Sequence, residues 1–412
     1  MYRLERVLSS NLIVRDRWSK HNGHIYQVGK ARLTFLSGSP TANIVGATAN
    51  LLLSIDEAQD ILPDKYDKEI APMAASTNAT RVFWGTAWTS NTLLAREYQA
   101  SKAKQEQDGI QRVWRLTCDH VAAEVPAYGQ FVADQVAKLG RQHPMVRTQY
   151  YSEDIDSEGG LFPPERLSLL YGIFPPQIKP ETGNVYVATL DLAGEDENSQ
   201  DPEHLANPGR DATALTVARV NTETLTDPGL LLPSYEIVYR QTWVGIKHTD
   251  LYGQVLSIIA TWNARFIVCD ATGVGAGFTS FLSRRFGPKV IPFVFNSKTK
   301  SDLGWSFLAL VDTGRLKTYA PDPSTYAHLN SLHEEFILQL EHLQYEIRPG
   351  PEKKIIWSVP EGTRDLKTGD LVHDDLVISA AMLSLLDQQT WSVAGPAAVV
   401  KARDPLDDMR GF

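Results

Sequence analysis

Val185-Tyr186-Val187-Ala188-Thr189-Leu190-Asp191-Leu192-Ala193 is the clearest strand signal in the 412-residue chain, and it carries one acid near its end. Burying a lone carboxylate in a strand-forming run is costly unless the group is paired or bound to a metal. Past the polar loop from Glu195 to Arg210, Asp211-Ala212-Thr213-Ala214-Leu215-Thr216-Val217 and Ser234-Tyr235-Glu236-Ile237-Val238-Tyr239-Arg240 read as two more strands, and three in succession suggest an antiparallel meander. Thr249-Asp250 is expected to cap a helix whose apolar positions Leu251, Val255, Ile258, Ile259 and Trp262 follow helical spacing. Phe266-Ile267-Val268-Cys269-Asp270 is then an apolar strand that again ends in an acid. Thr272-Gly273-Val274-Gly275-Ala276-Gly277 leads into a helix over 278–286, and a strand follows over 290–295. The last helix is announced by His373-Asp374-Asp375 and continues through Met382-Leu383.

Each local signal has a plainer reading. Two acids at a helix start often serve only as an N-cap and its neighbour, and a short Gly-rich run without a basic residue is a weak phosphate signal. The glycines are read instead as allowing close backbone approach, either to a packed strand or to DNA. The order of the elements shifts the balance. A strand with Asp191, two strands, a helix, a strand with Asp270, a helix, a strand and a late helix opening on Asp374-Asp375 resemble the ribonuclease H-like fold. In that fold the first strand, the fourth strand and the last helix gather three carboxylates at one sheet edge. Cutting a phosphodiester in line needs a nucleophilic water and a departing oxyanion, which two divalent ions about 3.5–4 Å apart stabilise together. Hard cations take oxygen ligands, so aspartates suffice and no His or Cys cluster is required.

Upstream, Leu51-Leu52-Leu53-Ser54-Ile55-Asp56-Glu57-Ala58-Gln59-Asp60 reads as a buried strand that delivers Asp56 and Glu57 to its C-terminal end, where parallel α/β sheets place their chemistry. In a nucleotide hydrolase Asp56 would hold Mg²⁺ and Glu57 would polarise the attacking water; a strand running into an acidic helix start is the alternative. Ala31 to Leu36 is another strand, ending in Ser37-Gly38-Ser39-Pro40. Thr80-Arg81-Val82-Phe83-Trp84 runs into Gly85-Thr86, either a γ-phosphate sensor or a plain turn. No G-x-x-x-x-G-K-[ST] phosphate loop occurs in the chain, since Gly46 is followed by Ala47-Thr48.

Phe35-Leu36-Ser37-Gly38-Ser39, Gly46-x-Thr48, Leu51 to Gln59 and Trp84-Gly85-Thr86 resemble the second half of the ATPase domain of large terminase subunits, the motors that drive and cut DNA during packaging by tailed phages and prophages. Asp191, Asp270, the Asp-x-Thr-Gly-Val-Gly segment and His-Asp-Asp-Leu resemble the nuclease domain of the same family, in the right order from about residue 30 to 390. The resemblance implies an α/β fold with a partial P-loop-type ATPase core followed by a ribonuclease H-like mixed-sheet nuclease domain. Its expected segments are 1–97 for the ATPase core, 98–182 for a connecting subdomain and linker, 183–391 for the nuclease and 392–412 for a flexible tail. Asp56-Glu57 would be the Walker B pair and Gly85-Thr86 the coupling motif. The family's Walker A lies well upstream of Walker B, whereas only about fifty residues precede Asp56 here, so the resemblance implies a chain truncated at its N-terminus.

Clustered Pro and Gly over 159–180 mark a boundary or linker independently of any resemblance. Arg141, His143 and Arg147 form a small basic group, a candidate for DNA phosphates or a solvated face. Asp375 rather than Asp374 is the expected metal ligand, the first acid being better placed to cap the helix. Asp211 is a candidate for an added, DNA-dependent ligand. His373 would orient a carboxylate or the scissile phosphate, or stand as a surface residue, with Thr272 and Gly273 as further DNA contacts.

Composition sets outer limits. A hydrophobic content of 43% and a charged content of 22% are those of a globular protein of about two domains. No apolar segment approaches the roughly 20 residues that span a bilayer, and no signal-peptide core follows Met1, so the expected setting is the host cytoplasm without membrane attachment. Cys118 and Cys269 are the only cysteines, which rules out a disulfide framework. A net charge of −9 lacks the usual nucleic-acid footprint, but a carboxylate-centred nuclease can hold DNA with local basic patches. The implied cofactors are Mg²⁺ or Mn²⁺, with ATP only if a Walker A segment is supplied. The implied partners are double-stranded DNA, a small terminase subunit and a portal protein. Two other readings stand beside this one: a DNA-binding packaging or prophage remnant without catalysis, and a ribonuclease H-like junction resolvase.

Overall fold

The computed structural model describes residues 2–44, 46–194, 211–322, 326–348 and 352–392. The loop over 195–210 and the tail over 393–412 lie outside the described residues. The chain forms two compact units, the first from Met1–Leu116 with Ser152–Asp156 and Pro349–Lys353, the second from Thr117–Tyr151, Ser157–Arg348 and the segment from Lys354 onward.

In the first unit, α1 (Tyr2–Ser10) precedes a three-stranded antiparallel sheet of β1 (Trp18–His21), β2 (Ile25–Val28) and β3 (Ala31–Thr34). Separately, β4 (Leu52–Ile55) pairs in parallel with β5 (Thr80–Phe83), joined through the short α2 (Pro63–Lys65) and a helical stretch to Ala74; α3 (Leu93–Asp108) follows, capped by the Thr92 side chain. The expectation of a buried strand at 51–55 is corrected here. Leu51 is 82% and Leu52 53% exposed, and Ile55 alone is buried. Among the described residues β4 has a single partner strand, so its outer apolar side chains have nothing to pack against.

The second unit begins with α4 (Cys118–Glu124), α5 (Pro126–Leu139), α6 (Pro144–Gln149), β6 (Glu158–Gly160) and α7 (Pro164–Ser168). The Pro-rich run after them packs inside this unit, where the Gln177 N–H donates to Val238 O. Then come β7 (Val185–Asp191), β8 (Ala212–Asn221), β9 (Ser234–Val244), α8 (His248–Trp262), β10 (Ile267–Asp270), α9 (Gly275–Phe286), β11 (Val290–Phe293), α10 (Ser297–Asp312), β12 (Leu316–Thr318), α11 (Ala327–His342), β13 (Gln344–Ile347), β14 (Ile355–Ser358) and α12 (Asp375–Ala381). The main sheet has the order β11-β10-β7-β8-β9-β12, in which β8 alone runs opposite to the rest. This is the ribonuclease H-like arrangement: the meander β7-β8-β9 forms one half and the parallel strands β10 and β11 extend the other.

Alternation along the strands separates two faces. Tyr186, Ala188, Leu190, Ile267 and Cys269 turn to one side and pack with Leu251, Val255, Ile259 and Trp262 of α8 and with Phe278 and Leu282 of α9. Thr189 turns the other way and donates to Ser379 O at 2.7 Å, while Ser379 Oγ donates to Thr216 Oγ1 at 2.9 Å. These buried hydroxyls satisfy one another, so α12 is held against β7 and β8 at a fixed register. Two helix starts differ from expectation. α8 begins at His248 with Lys247 at the N-cap, so Thr249-Asp250 lie within its first turn, and α9 begins three residues early at Gly275.

Candidate functional site

Leu190 pairs with Cys269 on the neighbouring parallel strand, so Asp191 and Asp270, one residue on, end β7 and β10 side by side at the same sheet edge. Both follow residues of the α8/α9 face and therefore turn toward the face that carries α12. Asp375, the first residue of α12, is buried, and its Oδ2 accepts the Ala212 N–H at the start of β8 at 2.8 Å. Asp270 Oδ1 accepts the Thr272 N–H at 2.8 Å, and Thr279 Oγ1 donates to Asp270 O at 2.8 Å. The Gly-rich turn has a packing reason: a Cβ on Gly275 would stand 2.6 Å from Asp270 O, so glycine lets α9 approach the end of β10. Gly273 has a φ of +55°, a left-handed conformation that glycine adopts without strain.

The acids act on one another electrostatically. Burial pushes the Asp191 carboxyl well above the usual range, and Asp375, Asp270 and Asp374 push it further, against a smaller opposing pull from Lys300. Asp375 is pushed up to about 8, first by burial and then by Asp211, Asp374 and Glu335, with the Ala212 N–H working the other way. Burial likewise raises Asp270, offset by Thr272, and Asp374, offset by Lys300. Crowded, desolvated carboxylates of this kind are a recurrent mark of functional sites. The donor set also suits a hard divalent cation, being all carboxylate oxygens, and Asp374 Oδ2 is buried with no hydrogen-bond partner. Among the described residues, no group of three or more His, Cys, Asp or Glu side chains is already gathered to hold a metal ion.

Around this centre stand residues of mixed fit. Asp211 Oδ1 lies 2.8 Å from His373 Nδ1, which fixes the ring, and His373 Nε2 is buried without a hydrogen-bond partner. Of the basic group, His143 is 1% exposed, with Nδ1 accepting the Met145 N–H and burial lowering its pKa; it is a core residue and faces neither DNA nor solvent. Arg141 lies over the Tyr151 ring at 3.5 Å, and Arg147 is half-buried on α6.

In the first unit, the β4–β5 pairing brings the other predicted residues together. Asp56 and Glu57 are exposed after β4, and Glu57 takes a left-handed conformation with φ 50°. Gln59 bridges Glu57 to the residues after β5: its Nε2 donates to Glu57 Oε2 at 2.6 Å, and its Oε1 accepts the Thr86 N–H at 3.0 Å. A Cβ on Gly85 would overlap Gln59 Oε1, so a side chain there would have to displace the Gln59 amide.

No family model and no curated protein matches this chain. Among solved structures it is similar to the large terminase nuclease from thermophilic phage G20c with bound magnesium, at 14% identity, over 53% of this chain and 94% of that chain, with a TM-score of 0.36. The large terminase nuclease domain of Thermus phage P74-26 is similar at 14% identity, over 55% of this chain and 96% of that chain, with a TM-score of 0.35. A large terminase from a further thermophilic bacteriophage, in complex with ADP, is similar at 11% identity, over 93% of this chain and 81% of that chain, with a TM-score of 0.44.

Three residues of the acid centre escape a reading of the sequence. Lys300 on α10 lies 3.8 Å from Asp374 Oδ2 and 5.4 Å from the centre of the Trp357 ring. Glu335 on α11 is one of the charges acting on Asp375. Gln339, one turn further along α11, donates from Nε2 to Glu335 Oε1 at 3.3 Å and accepts from the backbone of α12. Each is a single polar residue on α10 or α11, and no local motif marks any of them.

Proposed function

We propose that the chain acts as a large-terminase-type endonuclease, cutting double-stranded DNA with a divalent cation held by Asp191, Asp270 and Asp375. The supporting observation is that adjacent parallel strands end together in Asp191 and Asp270 while α12 sets Asp374-Asp375 over the same edge, close enough that Asp375, Asp270 and Asp374 all oppose ionisation of Asp191. Mg²⁺ or Mn²⁺ fits the donor set, and Asp374 and Asp211 adjoin it.

When bound, such cations stabilise charge on the attacking and departing oxygens of an in-line displacement. The protein contributes fixed directions. The Thr272 N–H holds the Asp270 carboxylate, the Ala212 N–H holds Asp375, and the Ser379–Thr189–Thr216 network fixes α12 to the strands that carry Asp191. Lys300 offsets part of the negative charge at the Asp374 side. Thr272, Gly273 and His373 border the acids and are assigned to the DNA backbone, with Arg141 and Arg147 as more distant phosphate contacts.

In this reading 1–97 is an ATPase-type core with Asp56, Glu57, Gly85 and Thr86 as its Walker B and coupling residues, 98–182 connects, 183–391 cuts, and 392–412 is a tail. A small terminase subunit and a portal protein are the matching partners, in the host cytoplasm. Among the described residues no helix is long and apolar enough to cross a membrane. The test is plasmid DNA incubated with the purified chain and Mg²⁺ or Mn²⁺. Nicked and linear products are expected from the unmodified protein, and none from Asp191→Ala or Asp270→Ala. Absence of cleavage by the unmodified chain, or undiminished cleavage by Asp191→Ala, overturns the assignment. A strong preference for four-way junctions over linear duplex would replace it with the resolvase reading.

A further inference from the structure

Asp374 occupies the N-cap position of α12, yet its side chain makes no capping bond. An N-cap carboxylate ordinarily accepts the N–H of the second or third helical residue, which are Leu376 and Val377 here. Both of those N–H groups donate instead to Gln339 Oε1 on α11, at 3.0 Å and 3.3 Å. Gln339 is 1% exposed, and its Nε2 is directed at Glu335 Oε1, so the amide is fixed from both ends. The expectation that Asp374 is the capping acid is therefore corrected: the cap is supplied from another helix.

We infer that Gln339 is a positioning residue: by capping α12 in trans, it releases the Asp374 carboxylate from its local role and leaves it turned toward Lys300 and the acid centre. Two features agree with this. Asp374 Oδ2 is buried without a hydrogen-bond partner, an arrangement that a free capping position would relieve if Gln339 did not fill it. Lys300 Nζ, at 3.8 Å, stands outside hydrogen-bond range but near enough to hold the carboxylate on that side. Gln339 thus determines whether the Asp374 carboxylate is drawn to the helix start or left facing the acid centre beside Asp375. The consequence for metal binding rests on the function proposed above, whereas the capping exchange does not.

Two measurements separate these parts. The first is thermal unfolding of the full chain without metal, for Gln339→Leu, Asp374→Ala and the double variant. Asp374→Ala alone is expected not to lower Tm, because no cap is lost. In the Gln339→Leu background Asp374 becomes the substitute cap, so the same substitution is expected to lower Tm by about 2–4 °C. An Asp374→Ala effect equal in both backgrounds overturns the inference. The second is calorimetric titration with Mg²⁺ or Mn²⁺. Gln339→Leu is expected to weaken binding by about 10-fold or more, as loss of a ligand's support commonly does. Asp374→Ala is expected to show a comparable loss, and the double variant no further loss. The paired exchange Glu335→Gln with Gln339→Glu keeps the net charge and the donor–acceptor pair, and is expected to restore binding, whereas a general packing defect would persist. Metal affinity unchanged in Gln339→Leu overturns the role at the site. Metal binding absent from the unmodified chain overturns the nuclease reading and that role together, while the unfolding cycle still decides the capping exchange.

Discussion

Asp375 shows how the acid centre opposes the stability of the fold around it. Its pKa stands at about 8 in the folded chain against the ordinary 3.8 of an aspartate, so the folded protein binds a proton that the unfolded chain gives up. The stabilisation from this neutral form is fully present below about pH 4 and is lost as the pH rises through about 8. Asp375→Asn removes the cost of ionising a buried carboxyl while keeping its shape. The variant is expected to be more stable than the unmodified protein at pH 8, by roughly 1–3 kcal/mol, and equal to it near pH 4. Denaturant melts at the two pH values without metal check this, and equal stability at pH 8 would show that Asp375 is not strained. The same variant is expected to lose cleavage. His333 behaves in the opposite sense: burial, then Arg240, lowers it to about 4, so its stabilising neutral form is complete above about pH 6.5 and is lost as the pH falls toward 4. His333→Gln is expected to flatten the fall in stability over that window in melts at stepped pH values.

At the scale of elements, the close contact of α9 with β10 turns on one atom. Gly275→Ala would place a Cβ 2.6 Å from Asp270 O, against backbone that cannot rotate away. Relief requires α9 or the end of β10 to shift, at a cost of about 1–3 kcal/mol. A lower Tm together with weaker divalent binding is expected, whereas Gly277→Ala, where nothing lies within 4 Å and alanine favours the helix, is expected to leave binding unchanged and not to lower Tm. The elements that carry the acids are legible in the sequence, whereas those over 297–358 are not read from it. β7 and β10 announce themselves as apolar runs ending in an acid, and α12 as an acid pair before an apolar helix, because strand and helix periods are local properties. The start of α8 is harder to place because Thr249-Asp250 is a strong local signal, while the chain enters the helix two residues earlier. The exposure of Leu51 and Leu52 is illegible for a different reason: an apolar run shows what a strand can bury, not whether a partner covers it. Gln339 and Lys300 join the acid centre only through contacts between helices far apart in sequence, which no periodicity records.

At the scale of the whole chain, the two compact units carry separate constellations, and their chemistry should separate as well. All the acids of the proposed nuclease lie in the second unit, whereas Asp56, Glu57, Gly85 and Thr86 lie in the first. The first unit sets Glu57 and Thr86 on opposite ends of the Gln59 amide, which joins the two residues proposed above for the Walker B and coupling roles. Phosphoryl transfer, however, depends almost wholly on positioning and charge, supplied in this class by a loop of backbone N–H groups and a lysine that hold the β- and γ-phosphates. The 412-residue sequence contains no such loop. This chain alone is therefore expected neither to bind ATP tightly nor to hydrolyse it, while its DNA cleavage stays metal-dependent and indifferent to added ATP. Steady-state ATPase assays with and without DNA, run beside plasmid cleavage, separate the two activities. Glu57→Ala is expected to leave cleavage unchanged and to reveal no ATPase above that of the unmodified chain. Robust ATP turnover that disappears in Glu57→Ala would mean that the first unit holds phosphate through groups other than the loop, and the backbone around Gly46 and Gly85 would be the place to look.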